Sequence, residues 1–432
     1  MTDERMKWYL DSKLGMFIHW GLYALLGHGE WARSFEEISL EEYQCNFDNF
    51  DPKCYNPKEW ARVAKNAGMK YAVLTAKHHE GFCLFDSKYT DYKSTNTKLG
   101  RDIVADFLEA FRAEGIKVGV YYSLLDWHHP DYPESGDMYA PMRNRDKTNN
   151  AGKDFNRYLD YLYNQVEELC TNYGKLDLFW FDFSYDKLRG EAWNATKLVK
   201  LIKSHHPDII INNRLEVSGS GFGSIVEEHP AYFSGDFVTP EQIVPEEGFK
   251  NCFGEPVPWE ACITTNNHWG FCKGDKTFKS GKMLIRKLVD CVSKGGNLLI
   301  NVGPDADGII PEESVKALNE VGEWMRVNSE SVYNCGISGL KKPDFGRITR
   351  NGNKYYFHLT EDIIGPIPLE GIQKEKIQKI TLLLNKRELF PINSWIVDNF
   401  SHVVFVSLGE QPDFTYMLPD EKDTVICVEV EE

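Results

Sequence analysis

The order of its apolar segments constrains this chain most. Between residues 15 and 303, short apolar runs rich in β-branched and aromatic residues alternate with amphipathic helical stretches. The strand-like runs are 15–21, 71–77, 117–123, 176–182, 208–214 and 297–303. Each reads as a strand buried on both faces. Between two of them, Trp60, Val63, Ala64 and Ala67 share one helical face after Pro57. Ile103, Val104, Phe107, Leu108 and Phe111 share another, with Asp102 near its start and Gly115 at its end. Further helices are predicted over 153–173, 192–205, 281–294 and 312–328, and a short one around Trp8–Leu10. Such alternation demands parallel strands with helical crossovers, in a closed (β/α)8-type, TIM-like and somewhat irregular barrel or in an open doubly wound sheet. No Gly-x-Gly-x-x-Gly follows the first strand, which weakens the dinucleotide-binding form of the open sheet. Residues 215–256, rich in Gly, Pro, Glu and Ser, read as a long functional loop with an interrupted strand. Near residue 335 the texture changes. Strand-like residues flank an Asn351-Gly352 turn, and runs at 378–384, 402–407 and 423–430 follow without a helix. The expected organisation is a barrel over 1–335 and an antiparallel β-sandwich over 336–432.

Composition narrows the function. The chain has 432 residues and a formal charge of −16. A polyanion binder needs a basic face, so nucleic acid and anionic membrane are not expected partners. No apolar core of a secretory signal opens the chain, and no run approaches 18 apolar residues. The ten cysteines form no Cys-x-x-Cys pair, so zinc spacing is absent and buried free thiols are expected. A reducing cytoplasm fits, as does a mature form whose leader has been removed. Nothing in the pattern demands a metal or an organic cofactor, and a homo-oligomer is compatible with it. Aromatic residues, at 13%, are abundant enough to suggest a flat-ligand or carbohydrate site.

The ends of the predicted strands carry the chemistry. In α/β barrels functional groups collect at the C-terminal ends of the strands. Here the first strand runs into His19-Trp20-Gly21, and the second into His78-His79-Glu80-Gly81-Phe82. The third contains Tyr121-Tyr122-Ser123, the fourth ends in Trp180-Phe181-Asp182, and the fifth in Asn212-Asn213-Arg214. Five such ends in register predict a polar pocket with aromatic walls. Metal-dependent hydrolysis would want His-x-His at the first strand end, where a single His19 stands beside Trp20. Adjacent His78 and His79 should diverge if they lie on a strand. Sugar binding would use the aromatics alone. Retaining glycoside hydrolysis would add two carboxylates about 5–5.5 Å apart. Asp182 closes the most hydrophobic strand, where an ionised group is costly unless used or paired. It reads as a nucleophile or as a structural partner of Arg214. The second carboxylate lies among Glu227, Glu228, Asp236, Glu241, Glu246, Glu247 and Glu260. The apolar neighbours Phe237, Val238, Pro240 and Ile243 favour Glu241 as a general acid.

In combination these residues resemble the α-L-fucosidases of glycoside hydrolase family 29, over nearly the whole chain. Gly15-Met16-Phe17-Ile18-His19-Trp20-Gly21 is similar to the family's first barrel strand. Gly29-Glu30-Trp31 resembles its Glu-Trp-Tyr element, with Ala32 for the Tyr, and Lys77-His78-His79-Glu80-Gly81-Phe82 its Lys-His-His-Asp-Gly-Phe. Ser293–Pro304 is close to its late-strand signature. The resemblance implies Asp182 as nucleophile. It implies Glu241 as acid/base, because Asp236-Phe237-Val238-Thr239-Pro240-Glu241 is similar to the family's Asp-Phe-x-Thr-x-Glu. It further implies that His19, Glu30, His78, His79, Tyr122 and Arg214 hold the sugar hydroxyls, with Trp31, Trp180 and Trp269 as aromatic walls, Trp269 facing the sugar's methyl group. The implied activity is release of terminal α-L-fucose from fucosylated oligosaccharides or glycoconjugates, without a cofactor. A related α-L-galactosidase-like enzyme and an inactive sugar-binding homologue are the alternatives.

Overall fold

A computed structural model describes residues 4–133, 137–144, 150–219, 221–409 and 417–431. Seven strands form one parallel sheet: β1 (Leu14–Ile18), β2 (Tyr71–Lys77), β3 (Lys117–Ser123), β4 (Leu178–Asp182), β5 (Ile210–Ile211), β6 (Glu260–Thr264) and β7 (Asn297–Val302). Their order is β5-β4-β3-β2-β1-β7-β6, so the sheet curls with β5 and β6 at its two ends. The expected eighth regular strand is not formed among the described residues. An irregular extended segment occupies the gap instead. Asp236 donates its N–H to the Ile211 carbonyl, and Asn213 donates to that of Phe237. On the other side, Val238 donates to Pro258, Glu260 to Val238, Cys262 to Pro240, and Gln242 to Cys262. The β6 strand was missed in the sequence because Glu260-Ala261-Cys262-Ile263-Thr264 is short and opens on a charge. Conversely, the predicted fifth strand shrinks to two residues, since the chain turns into a short 3-10 helix at Asn213–Leu215.

Strand alternation divides the core into two layers. Phe17, Tyr71, Val73, Tyr121, Leu178, Trp180, Ile210, Cys262 and Leu299 point inward and pack on one another. Tyr9, from the helix Lys7–Ser12, closes the far end of this inner core against Tyr71 and Phe237, at ring distances of 5.6 and 4.9 Å. Outward residues such as Leu74, Val120, Phe179 and Ile300 pack against the surrounding helices. Those helices begin where local chemistry dictates. Asp102 accepts from Ala105 N at 2.9 Å, Asp154 from Asn156 N at 3.0 Å and Ser280 from Met283 N at 3.3 Å, each satisfying an otherwise unpaired N–H.

Beyond residue 335 a six-stranded antiparallel-paired sheet has the order β13-β12-β15-β10-β9-β8. Its strands are β8 (Gly336–Ile337), β9 (Gly346–Asn351), β10 (Lys354–Leu359), β12 (Ile377–Leu382), β13 (Arg387–Leu389) and β15 (Thr424–Val430). A two-stranded sheet of β11 (Ile367–Leu369) and β14 (Val404–Val406) completes the region. Phe357, Ile380 and Ile426 from the first sheet share an apolar cluster with Ile367, Leu369, Val404 and Val406 from the second. The Asn351-Gly352 hairpin is present, with Gly352 at a φ of 56°. The helices Gly281–Ser293 and Glu312–Asn328 lie against this sheet. Arg347 Nε contacts Asp290 at 2.7 Å, and Trp324 Nε1 donates to the Asp423 carbonyl at 2.9 Å.

Candidate active site

The C-terminal ends of these strands surround a cavity of about 170 Å³. His19, Trp31, His78, His79, Trp180, Asp182, Arg214, Glu241 and Trp269 all line it. Alternation aims Asp182 inward with Trp180 and Leu178 of the same strand. Its Oδ1 takes the Arg214 Nη1–H at 2.9 Å and the Phe183 N–H at 2.9 Å, while Tyr121 Oη donates to its Oδ2 at 3.0 Å. Phe183 sits at a φ of 72°, a region unfavourable for a bulky residue. That conformation is held where its N–H faces both Asp182 and Ser218 Oγ, the latter at 2.9 Å. Burial raises the Asp182 carboxyl above its ordinary range. Arg214 opposes the shift and Glu241 adds to it.

Arg214 organises the two carboxylates. Its Nη2 meets Glu241 Oε2 at 2.8 Å, its Nε donates to Thr239 Oγ1 at 2.8 Å, and its guanidinium lies 4.7 Å from the Trp180 ring centre. Burial alone would pull the Arg214 pKa down, but Asp182 and Glu241 hold it above its ordinary value. One fork thus grips both acids. The Glu241 side chain, 41% exposed, stands at the mouth, whereas that of Asp182 is 10% exposed. The other acidic candidates are elsewhere. Asp236 pairs with Arg5 and accepts from Ile211 N at 2.8 Å. Glu260 is buried in the inner core with Tyr71 and Trp180, where burial lifts its carboxyl to about 7. Glu227 and Glu228 are exposed. Glu246 and Glu247 border a larger cleft of about 660 Å³ against β8 and β9, whose lining among the described residues contains no histidine and no buried carboxylate.

Three histidines form the floor. β2 ends at Lys77, so His78 and His79 lie on the turn after it and do not diverge; their rings are 3.9 Å apart. His19 is 5.3 Å from His78, ring to ring. Burial depresses the pKa of all three, that of His19 to about 3, with Arg214 adding to the effect. The rings are therefore neutral at ordinary pH.

Two expected residues sit elsewhere. Tyr122 points away from the cavity. Its hydroxyl donates to Gln165 Oε1 at 2.8 Å, and its ring covers Lys77 Nζ at 4.4 Å. Tyr121 takes the inward position. The register shows why: Tyr121 pairs with inward Trp180, and Tyr122 with outward Phe181. Glu30 is buried but does not line the cavity; its Oε2 accepts from Gly270 N at 2.8 Å and so secures the loop behind Trp269. The sequence reading missed Tyr139, Tyr185, Ser218 and Gly219, which also line the cavity from irregular segments where no periodicity signals them. Removing the Tyr121 hydroxyl in Tyr121→Phe takes a hydrogen bond from a charged acceptor. It should lower kcat/KM by about ten- to a hundredfold. Tyr122→Phe should leave kcat/KM within about twofold, because it loses only a bond on the outer face. Steady-state kinetics on the pair checks the register.

Comparison with known proteins accords with this geometry. The family model described as alpha-L-fucosidase matches residues 1–330. The chain belongs to the alpha-L-fucosidase family. Human plasma alpha-L-fucosidase is 30% identical over 352 residues, covering 76% of this chain and 68% of that protein. Among solved structures, alpha-L-fucosidase isoenzyme 1 from Paenibacillus thiaminolyticus is 49% identical with a TM-score of 0.95, covering 99% of both chains. An alpha-L-fucosidase from Bacteroides thetaiotaomicron, solved as a trapped covalent intermediate with 2-fluoro-fucosyl fluoride, is 30% identical with a TM-score of 0.81. It covers all of this chain and 97% of its own. Among the described residues of this alpha-L-fucosidase family member, no helix is long and apolar enough to cross a membrane. Nor is any group of three or more His, Cys, Asp or Glu side chains among them placed to hold a metal ion.

Proposed function

We propose that this chain releases terminal α-L-fucose from fucosylated oligosaccharides or glycoconjugates by double displacement with retention. The observation that carries the reading is the pair of carboxylates on one guanidinium, in a cavity sized for a single sugar ring. Asp182 attacks C1 as the bond from C1 to the glycosidic oxygen breaks, and Glu241 gives its proton to the departing oxygen. Water then attacks C1 of the fucosyl–Asp182 ester, Glu241 takes the water's proton, and Asp182 leaves as a carboxylate. The exposed Glu241 is the acid that can exchange Arg214 for the leaving group, while Asp182 stays fixed by Arg214, the Phe183 N–H and Tyr121. His19, His78, His79 and Arg214 serve the ring hydroxyls. Trp269 and Phe17, 6.0 Å apart, offer an apolar surface to the 6-deoxy methyl group. The trapped covalent intermediate of the Bacteroides relative supports the covalent route.

An aryl-glycoside panel tests the substrate. 4-Nitrophenyl α-L-fucoside should be turned over about ten- to a hundredfold faster than the α-L-galactoside, whose extra hydroxyl meets an apolar wall. Equal or reversed rates would overturn the assignment. Glu241→Ala should slow poor leaving groups most, with azide restoring aryl fucoside turnover as a glycosyl azide. If Glu228→Ala behaves this way instead, Glu241 is not the acid.

A further inference from the structure

Asn301 lies on β7 with its side chain inside the barrel, and no step of the reaction above uses it. Its Nδ2 is 2.7 Å from the Trp269 carbonyl oxygen, and its Oδ1 is 2.6 Å from His19 Nδ1. The amide has one orientation only. If it were flipped, two carbonyl oxygens would face each other at 2.7 Å with no proton between them. Oδ1 cannot donate, so the proton of that contact belongs to His19 Nδ1. The ring carries no second proton, because burial, reinforced by Arg214, depresses its pKa to about 3. Nε2 therefore keeps a lone pair. His19 lines the cavity, and among the described residues its one side-chain hydrogen bond is the Nδ1 contact, which leaves Nε2 to the cavity.

We propose that Asn301 is a positioning residue: it locks His19 in the Nδ1–H tautomer, so that Nε2 accepts a hydrogen bond from a hydroxyl of the bound sugar. The same logic holds at a neighbouring site. Ser123 Oγ donates its one proton to the Leu125 carbonyl at 2.9 Å, so at 2.7 Å it must accept from His79 Nδ1. Two floor histidines are thus set as acceptors by groups outside the reaction. Such a floor suits hydroxyls that donate. Asn301 also fixes the backbone of Trp269, so one amide couples the hydroxyl contact to the apolar wall.

This inference rests on the fucoside reading for the identity of the ligand, but not for the tautomer. Long-range ¹⁵N–¹H NMR of the ¹⁵N-histidine-labelled enzyme, with His19→Gln used to assign the signal, tests it without substrate. His19 should show a protonated Nδ1 and an unprotonated Nε2 from pH 5.5 to 8, and adding L-fucose should shift the Nε2 signal. A protonated Nε2 in the free enzyme, or no shift at saturating fucose, would overturn the proposal. Asn301→Leu supplies a kinetic arm. It removes the acceptor at His19 Nδ1, so the ring is free to carry its proton on Nε2, which then donates where the parent accepts. The value of kcat/KM should fall by about tenfold or more, and long-range NMR of the variant should show a protonated Nε2 on His19. A rate loss with Nδ1 still protonated and Nε2 unprotonated would mark a merely structural role. If the variant does not fold, the NMR result on the parent enzyme decides. A parent that shows the expected tautomer and fucose shift but hydrolyses no fucoside would break the function and leave the placement of His19 intact.

Discussion

Asp182→Asn should lower kcat on an aryl α-L-fucoside by roughly 10⁴–10⁶-fold, the scale seen when a nucleophile is removed. Asparagine keeps the outline of the side chain and can still accept from Arg214 and the Phe183 N–H, so the loss is chemical and not a collapse of the pocket. A 2-fluoro-fucosyl inactivator should label Asp182 in the parent enzyme and nothing in the variant; a labelled peptide elsewhere would remove Asp182 from its role. Linkage gives a second readout. Burial raises the Asp182 pKa in the folded chain, so its protonated form is the one that folding favours. The stability contributed by that proton is present below the unfolded carboxyl value and is lost as pH rises through the folded one. Asp182→Asn removes this desolvated carboxylate and, with it, an anion beside the buried Arg214, so the two effects on stability oppose each other. Thermal melts should show the difference between Asp182→Asn and the parent shrinking toward pH 3, where the parent carboxyl is protonated as well.

Arg214→Met should be nearly as damaging. It removes the cation from beside a buried carboxylate, and breaking such a pair costs about 3–5 kcal/mol. The Glu241 arm adds little, because that side chain is 41% exposed and its charge is screened. Without Arg214 the cation that opposes the desolvation of Asp182 is gone, so its pKa climbs further. The acidic limb of kcat/KM should move to higher pH, and the rate at pH 7 should fall by about two to three orders of magnitude. Arg214→Lys keeps a charge but not the fork, and should fall between the parent and Arg214→Met. A pH–rate profile of the three proteins checks the order. An unmoved acidic limb in Arg214→Met would show that Arg214 does not control the ionisation of Asp182.

The layout of the site was legible where strand periodicity reaches it. His19, Trp180 and Asp182 follow from the inward positions of apolar strands, and the cavity gathers them. Tyr121 and Tyr122 show the limit of that reading. Both belong to one apolar run, and only the register against β4 tells which faces inward. His78 and His79 failed in the opposite sense, because alternation stops at Lys77 where the strand ends. The eighth position of the barrel was illegible for a different reason. The segment that fills it is held by backbone hydrogen bonds, which leave no mark in side-chain pattern. Tyr139 and Tyr185 reach the cavity from loops, where composition carries no direction.

That backbone-held segment has a consequence for how the site tolerates change. Glu241 is anchored immediately on both sides, through Pro240 and Gln242 to Cys262 of β6, with further bonds at Asp236 and Val238. The connections before residue 236 and after residue 242 therefore carry no tension to the carboxylate. Loop closure becomes only slowly more costly as a connection lengthens. Insertions in 221–233 or 243–256 can reshape the rim of the cavity while Glu241 stays in place. The part of the barrel least regular in hydrogen-bond geometry is thus a splice point, at which the enzyme can acquire new rims without rebuilding its bond-breaking centre.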